Sequence, residues 1–171
     1  MAEFPDDGLI ARLQAESAEL ILDAFSADDA WELGNILVTL AKQRGVSITA
    51  QIARGEQVLF QVAMEGMSLD QDLWVQRKAR TVRRFGVSSM LVGLKYRRHA
   101  ASDPLAPASF DHAPWIDHVA LSGNGGSVPI TVRGVGAVAT VTVSGLSPAD
   151  EHALAVEALR LFLATTQEGR S

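Results

Sequence analysis

The chain has 171 residues, 47% of them apolar and 20% charged, with a formal net charge of −5. That is globular composition, and the acidic balance leaves no general attraction for nucleic acid or acidic lipid. There is no cysteine, which removes thiolate chemistry, disulfides and cysteine-held zinc or iron–sulfur centres. A chain of this length fits one domain over residues 1–171, burying about 70% of the surface its unfolded form exposes. The N-terminal MAEFPDDGLIARLQ is acidic and lacks an apolar core segment, so it does not read as a secretory signal. The most apolar stretch, near 135–143, falls well short of the roughly 20 residues a membrane span needs. A cytoplasmic protein that engages neither membrane nor nucleic acid is the expectation.

The first clear helix is expected from Ser26, which forms an S-x-x-D capping pair with Asp29. Leu33, Ile36, Leu37, Leu40 and Ala41 follow at helical spacing, and Gly45 is placed to end the helix. Residues 46–64 read as a hairpin: Val46, Ile48, Ala50 and Ile52 alternate with Ser47, Thr49 and Gln51, and Arg54–Gln57 make the turn. Ser68 and Gln71 then cap a second helix on which Leu69, Leu73, Val82 and Phe85 can share a face, with Gly86 interrupting it. A short helix over 87–94 is expected next, then a loop over 100–114 with three prolines. The end of the chain reads strand, turn, strand, helix, with Ser147 as cap and Pro148 at the first helical position.

Gly134, Gly136 and Ala139 fit the dinucleotide fingerprint G-x-G-x-x-A, but such a loop must open a helix. Here AVATVTV over 137–143 is a strand by composition, so the glycines are expected to turn one strand back on another. The Gly123-Asn124-Gly125-Gly126 cluster is either a loose entry to the sheet or a backbone surface that a ligand approaches closely.

No acidic residue lies between Asp72 and Asp103, while Arg77, Lys78, Arg80, Arg83, Arg84, Lys95, Arg97 and Arg98 supply eight of the 15 cations. Three readings stand: a solvated face, a subunit interface, or a site for small carboxylates or phosphates. With one tyrosine in the chain there is no aromatic interleaving of the kind that binds nucleic acid. His99, His112, His118 and His152 share no zinc-helix spacing, so no metal site is assigned. His112 and His118 flank Trp115 with Asp111 and Asp117 beside them, a pattern that suits either a loop surface or an oriented imidazole ligand. Ser88-Ser89 lacks a nucleophile-elbow context, and no catalytic residue is assigned.

The segments DAWELG (29–34), LFQVAMEGMSLDQDLWVQRKARTVRRFGVSS (59–89) and GNGGSVPITVRG…TVTVSGLSPADEHALAVEAL (123–159) resemble the haem-degrading-domain superfamily. Its members include HbpS-like, GlcG-like and PduO C-terminal-like proteins, and the sequence is most similar to the uncharacterised (UPF-type) branch. The resemblance implies an α+β fold: a five-stranded antiparallel sheet with packed helices, profilin-like or PAS-like in outline. Strands would lie near 20–25, 46–54, 57–64, 127–133 and 136–144. It implies homo-oligomers built from dimers, and haem as the candidate cofactor. The positions matching the branch's motifs are Trp74, Arg77, Lys78, Gly125, Gly126, Pro129 and His152. The resemblance marks them as ligand-binding or interface candidates. The function expected is binding of a small anionic ligand, a tetrapyrrole among them; the alternative is a non-enzymatic oligomeric scaffold.

Overall fold

Ser26 opens the best-defined helix as expected, its hydroxyl accepting from Asp29 N at 3.1 Å while Asp29 accepts from Ser26 N at 2.6 Å. In the computed structural model, which describes residues 6–103 and 105–168, this helix is α2 (Ala27–Gln43). Pro104, residues 1–5 and residues 169–171, which the sequence readings of the N-terminus and the 100–114 loop include, lie outside the described residues. Before α2 come α1 (Asp7–Glu19) and the two-residue strand β1 (Ile21–Leu22). Periodicity does not announce α1: only Ile10 and Leu13 are buried on it, and they rest on α4 rather than on the main core.

The hairpin follows as β2 (Thr49–Arg54) and β3 (Gln57–Ala63), turning at Gly55 with φ 58°. Next are α3 (Leu69–Phe85), ended by left-handed Gly86, and α4 (Ser89–Ala100), longer than the sequence suggests. The proline-containing loop carries one 3-10 turn, Phe110–His112. The chain closes with β4 (Ser127–Val132), β5 (Gly136–Ser144) and α5 (Pro148–Glu168). Gly134 and Gly136, with φ 73° and 100°, turn β4 into β5, so the fingerprint-like glycines serve a hairpin.

The five strands order as β1-β4-β5-β2-β3. The sheet is mixed, which corrects the wholly antiparallel expectation: β1 runs parallel to β4, pairing Ile21 with Thr131 and Leu22 with Val132. Hairpin-linked neighbours must run antiparallel, but β1 meets β4 from far away in sequence, and nothing in the connection imposes that direction.

Helices cover both faces. α2 and α5 pack on one side, over Ile48, Ala50, Ile52, Val128, Ile130, Val141 and Val143. Each large side chain buried there stabilises by about 1.5–3 kcal/mol before conformational entropy is subtracted. α3 lies across β5, β4 and β2 on the other side. That second face is polar yet buried: Thr49, Gln51, Ser127, Thr140, Thr142 and Ser144 are all at most 8% exposed. Alternation in β2 marks Thr49 and Gln51 as outward-facing, and so they are, but outward here means beneath α3.

The helix that covers a polar face is itself unusual inside. Leu69 and Leu73, expected to be core, are 73% and 50% exposed. α3 instead buries Val75, Lys78, Ala79, Thr81 and Val82. The exchange of leucines for a lysine on the inner face is what creates the site.

Candidate functional site

Lys78 is 1% exposed. An ammonium at such depth requires a counter-charge and hydrogen-bond acceptors. Both are present: Nζ donates to Glu151 Oε2 at 2.6 Å and to the Val143 carbonyl at 2.6 Å. Glu151 is held from its other oxygen, where Oε1 accepts from Gly145 N at 2.8 Å and Leu146 N at 3.2 Å. One ion pair thus ties the middle of α3 to the end of β5 and the first turn of α5. Burial pushes the Lys78 pKa below its usual 10.5, and the charge and hydrogen bond of Glu151 hold part of it back.

The glycine cluster exists to let this pair form. A Cβ on Gly126 would stand 2.6 Å from the Val143 carbonyl oxygen, 2.7 Å from Lys78 Nζ and 2.8 Å from Glu151 Oε2, and its φ is 118°. A Cβ on Gly125 would run into the Pro148 carbonyl. Pro129, also buried, pairs with Thr140 on the part of β4 that β1 does not reach, so its missing N–H leaves no neighbouring strand without a donor.

At the ion pair lies a cleft of about 340 Å³ lined by Gln71, Trp74, Lys78, Asn124, Pro148 and Glu151, with residues 144–146. Trp74 forms one wall, and the Arg77 guanidinium stacks on its ring at 4.2 Å. Arg77 also reaches Asp111 at 3.4 Å, and Asp111 in turn accepts from Ser122 Oγ at 2.7 Å and Gly123 N at 2.6 Å. Arg77 therefore fixes Trp74 and pins the 111–123 loop beside the cleft. Lys78 spends two of the three donors of its ammonium on Val143 and Glu151.

His152 is elsewhere. Its side chain turns to α1, where Nε2 lies 2.7 Å from Glu16 Oε1. It lines a separate groove between α1 and α5 with Leu13, Met90 and Arg160. The structure brings Trp74, Lys78, Gly125 and Gly126 together, places Arg77 just behind Trp74, and sets Pro129 in the sheet and His152 on the far side of α5's first turn. His99, His112 and His118 are exposed.

The residue sequence reasoning missed is Glu151. It sits in the D-E-H run, where an acid in a first helical turn reads as a dipole partner. Its signal was Lys78, spaced with Val75, Ala79 and Val82 and so obliged to find a buried acid.

The basic segment resolves largely within the chain. Arg77, Lys78, Arg83, Arg97 and Arg98 pair with Asp111, Glu151, Glu56, Asp6 and Asp7. The missing acids come from the N-terminal helix, the hairpin turn, the 3-10 turn and α5.

Residues 25–160 match the profile of a family described as haem degrading protein HbpS-like. The chain belongs to that family. The HbpS-like chain is 41% identical to a UPF0303 protein of Streptomyces avermitilis, over 95% of its own length and 96% of the relative's. It is 38% identical to a UPF0303 protein of Rhizobium johnstonii, over 93% of each. Among solved structures, Ybr137w superposes with a TM-score of 0.79 at 27% identity, covering 92% of this chain and 89% of that one. HbpS itself gives 0.61 at 19% identity, covering 85% and 95%. The PduOC–haem complex gives 0.59 at 20%, covering 80% and 94%, and at such identities the likeness concerns the fold. Among the described residues, no helix of the HbpS-like chain is long and apolar enough to cross a membrane, and no cluster of metal-ligating side chains occurs.

The lowered Lys78 pKa sets a pH dependence. Between the folded value and 10.5 the unfolded chain binds more protons than the folded one, so the Lys78 contribution to stability rises with pH in that window. The stability of the wild type minus that of Lys78→Met, from urea unfolding, is expected to climb from neutral pH towards 10.5. A flat or falling difference contradicts the assignment.

Proposed function

We propose that the protein binds a small planar ligand through a carboxylate or similar acceptor group in the α3–α5 cleft, and that it works as a homo-oligomer built from dimers. The observation that carries the ligand reading is the arrangement of Lys78 and Trp74. The buried Lys78 ammonium, with two of its three donors committed, and Trp74, on whose ring Arg77 stacks, line the same cleft. The ammonium suits an anionic edge and the ring suits a flat apolar body.

A tetrapyrrole bearing propionates has this chemistry, and membership of the HbpS-like family and the PduOC–haem complex support it as the first ligand to test. A haem bound through its iron does not fit this cleft: no His, Met, Cys or Tyr lines it. The reading therefore rests on the ligand's anionic edge and plane, whether a tetrapyrrole or a smaller organic acid supplies them. The assembly reading is supported by the family resemblance.

Titration with iron-free protoporphyrin IX tests the site. Trp74→Ala is expected to weaken binding about tenfold, the worth of one aromatic contact of about 1.4 kcal/mol. His152→Ala, on the other groove, is expected to leave the affinity unchanged. Equal affinity for wild type and Trp74→Ala, with loss in His152→Ala, would move the site to the α1–α5 groove.

A further inference from the structure

β3 ends the sheet, and among the described residues no strand meets its outer edge. Natural edge strands are usually protected by charge, proline or a covering element. This one is not: residues 57–64, QVLFQVAM, contain no charge and no proline. Gln57, Val58, Gln61 and Ala63 are all exposed. Apolar groups flank the edge from both layers. On the α2 side Trp31, 63% exposed, stands edge-on against Phe60. On the α3 side lie Leu69 and Leu73, in the helical turns that Asp72 anchors to Gln61 at 3.0 Å. Four of the large exposed apolar side chains, Trp31, Val58, Leu69 and Leu73, thus lie on or beside the elements that flank this edge.

We infer that this edge pairs with the same edge of a second copy, antiparallel, in an isologous dimer whose two sheets run on as one. The charges at the strand ends choose this occupant and direction. At the start of β3 are Arg54, Glu56 and Arg83, with Arg83 bonded to the Gly55 carbonyl and to Glu56 at 3.2 Å. After its far end come Glu65 in the connecting turn and Asp70 and Asp72 in the first turn of α3, with Asp72 bonded to Gln61. One end is net positive and the other strongly negative. A two-fold axis through the strand sets each positive end against the partner's negative end, and parallel pairing would set like against like. The edge backbone asks for a strand, and the flanking leucines and Trp31 give it an apolar rim on both faces.

The inference rests on the assembly part of the reading above and is independent of the ligand. Sedimentation of the full chain tests it. Wild type is expected at twice the chain mass or an even multiple, and Val58→Lys with Ala63→Lys, which adds like charges to both copies of the edge, is expected to halve the smallest assembly to a monomer. Trp31→Ser with Leu73→Ser leaves the strand untouched and is expected to weaken the dimer at least tenfold, which keeps the test valid should the lysine variant not fold. A monomeric wild type overturns both the assembly reading and the edge. An oligomer that survives both edge variants but dissociates with Leu161→Glu, on α5, overturns the edge alone. Protoporphyrin titration of the dissociated variant then reports on the ligand reading separately.

Discussion

Replacing Glu151 by Ala is expected to destabilise the fold by about 3–5 kcal/mol, the usual cost of stranding one member of a buried ion pair. The loss has three parts. Lys78 keeps its burial but loses its counter-charge, and Gly145 N and Leu146 N lose their acceptor. Glu151→Gln retains an acceptor for the two amides and is expected to fall between wild type and Glu151→Ala. Lys78→Met with Glu151→Gln removes both charges and is expected to recover part of the loss, because a neutral pair has no desolvation to offset. Urea unfolding of wild type, Lys78→Met, Glu151→Gln and the double variant gives the coupling directly. A cost below about 1 kcal/mol for Glu151→Ala would mean that the pair is not the clamp described here.

Gly126→Ala is expected to cost about as much by a different route. Its methyl would press on Lys78 Nζ, Glu151 Oε2 and the Val143 carbonyl at once, in a backbone conformation with φ 118°. Neither the carbonyl nor the locked carboxylate is a flexible chain end. Something must shift, and the expected loss is about 3–5 kcal/mol, the range reserved for core strain and broken buried networks. Gly134→Ala serves as the control. It also has positive φ, at 73°, but a Cβ there meets nothing within 4 Å. Its cost is expected near the 1 kcal/mol of backbone strain alone. Equal effects at the two positions would show that the glycine cluster is needed only for its turn. Thermal or urea unfolding of the two variants decides between these outcomes.

Much of the frame is legible in the sequence because its signals are local. Ser26 with Asp29, Ser68 with Gln71, Gly86 after Phe85 and the Gly134–Gly136 turn each fix an element end through bonds between near neighbours. The inner face of α3 was not legible in this way. Leucine spacing points to Leu69 and Leu73, but the surface under α3 is a row of Ser, Thr and Gln, and such a floor is met by Lys78, Thr81 and small apolar residues. Which side of a helix is inside depends on what lies opposite, and that is a long-range fact. The direction of β1 was hidden for the same reason, since two residues paired across more than a hundred positions carry no turn to read. The basic segment misled in a third way. Its cations look unbalanced along the chain, yet their acids arrive from Asp6, Asp7, Glu56, Asp111 and Glu151 only after folding.

The site shares this character. Trp74, Lys78 and the glycines at 125 and 126 converge, but the chemistry turns on Glu151, whose part appears only when α5 docks beside β5. In sequence Gly125 and Gly126 read either as a loose entry to the sheet or as a backbone surface for a close-approaching ligand. In the fold they are close-approach positions, one against the α5 N-terminus and the other against the ion pair.

The most direct test of the cleft as a ligand site is a competition between haemin and iron-free protoporphyrin IX on the wild-type protein, followed by the Soret band and tryptophan quenching. With the ligand held by its acid edge against Lys78 and its plane against Trp74, the two tetrapyrroles are expected to displace each other at comparable concentrations. The haemin spectrum is expected to lack the signature of a histidine bound to iron. A saturable, histidine-ligated haemin spectrum that protoporphyrin does not disturb would contradict the account and place the ligand outside the α3–α5 cleft.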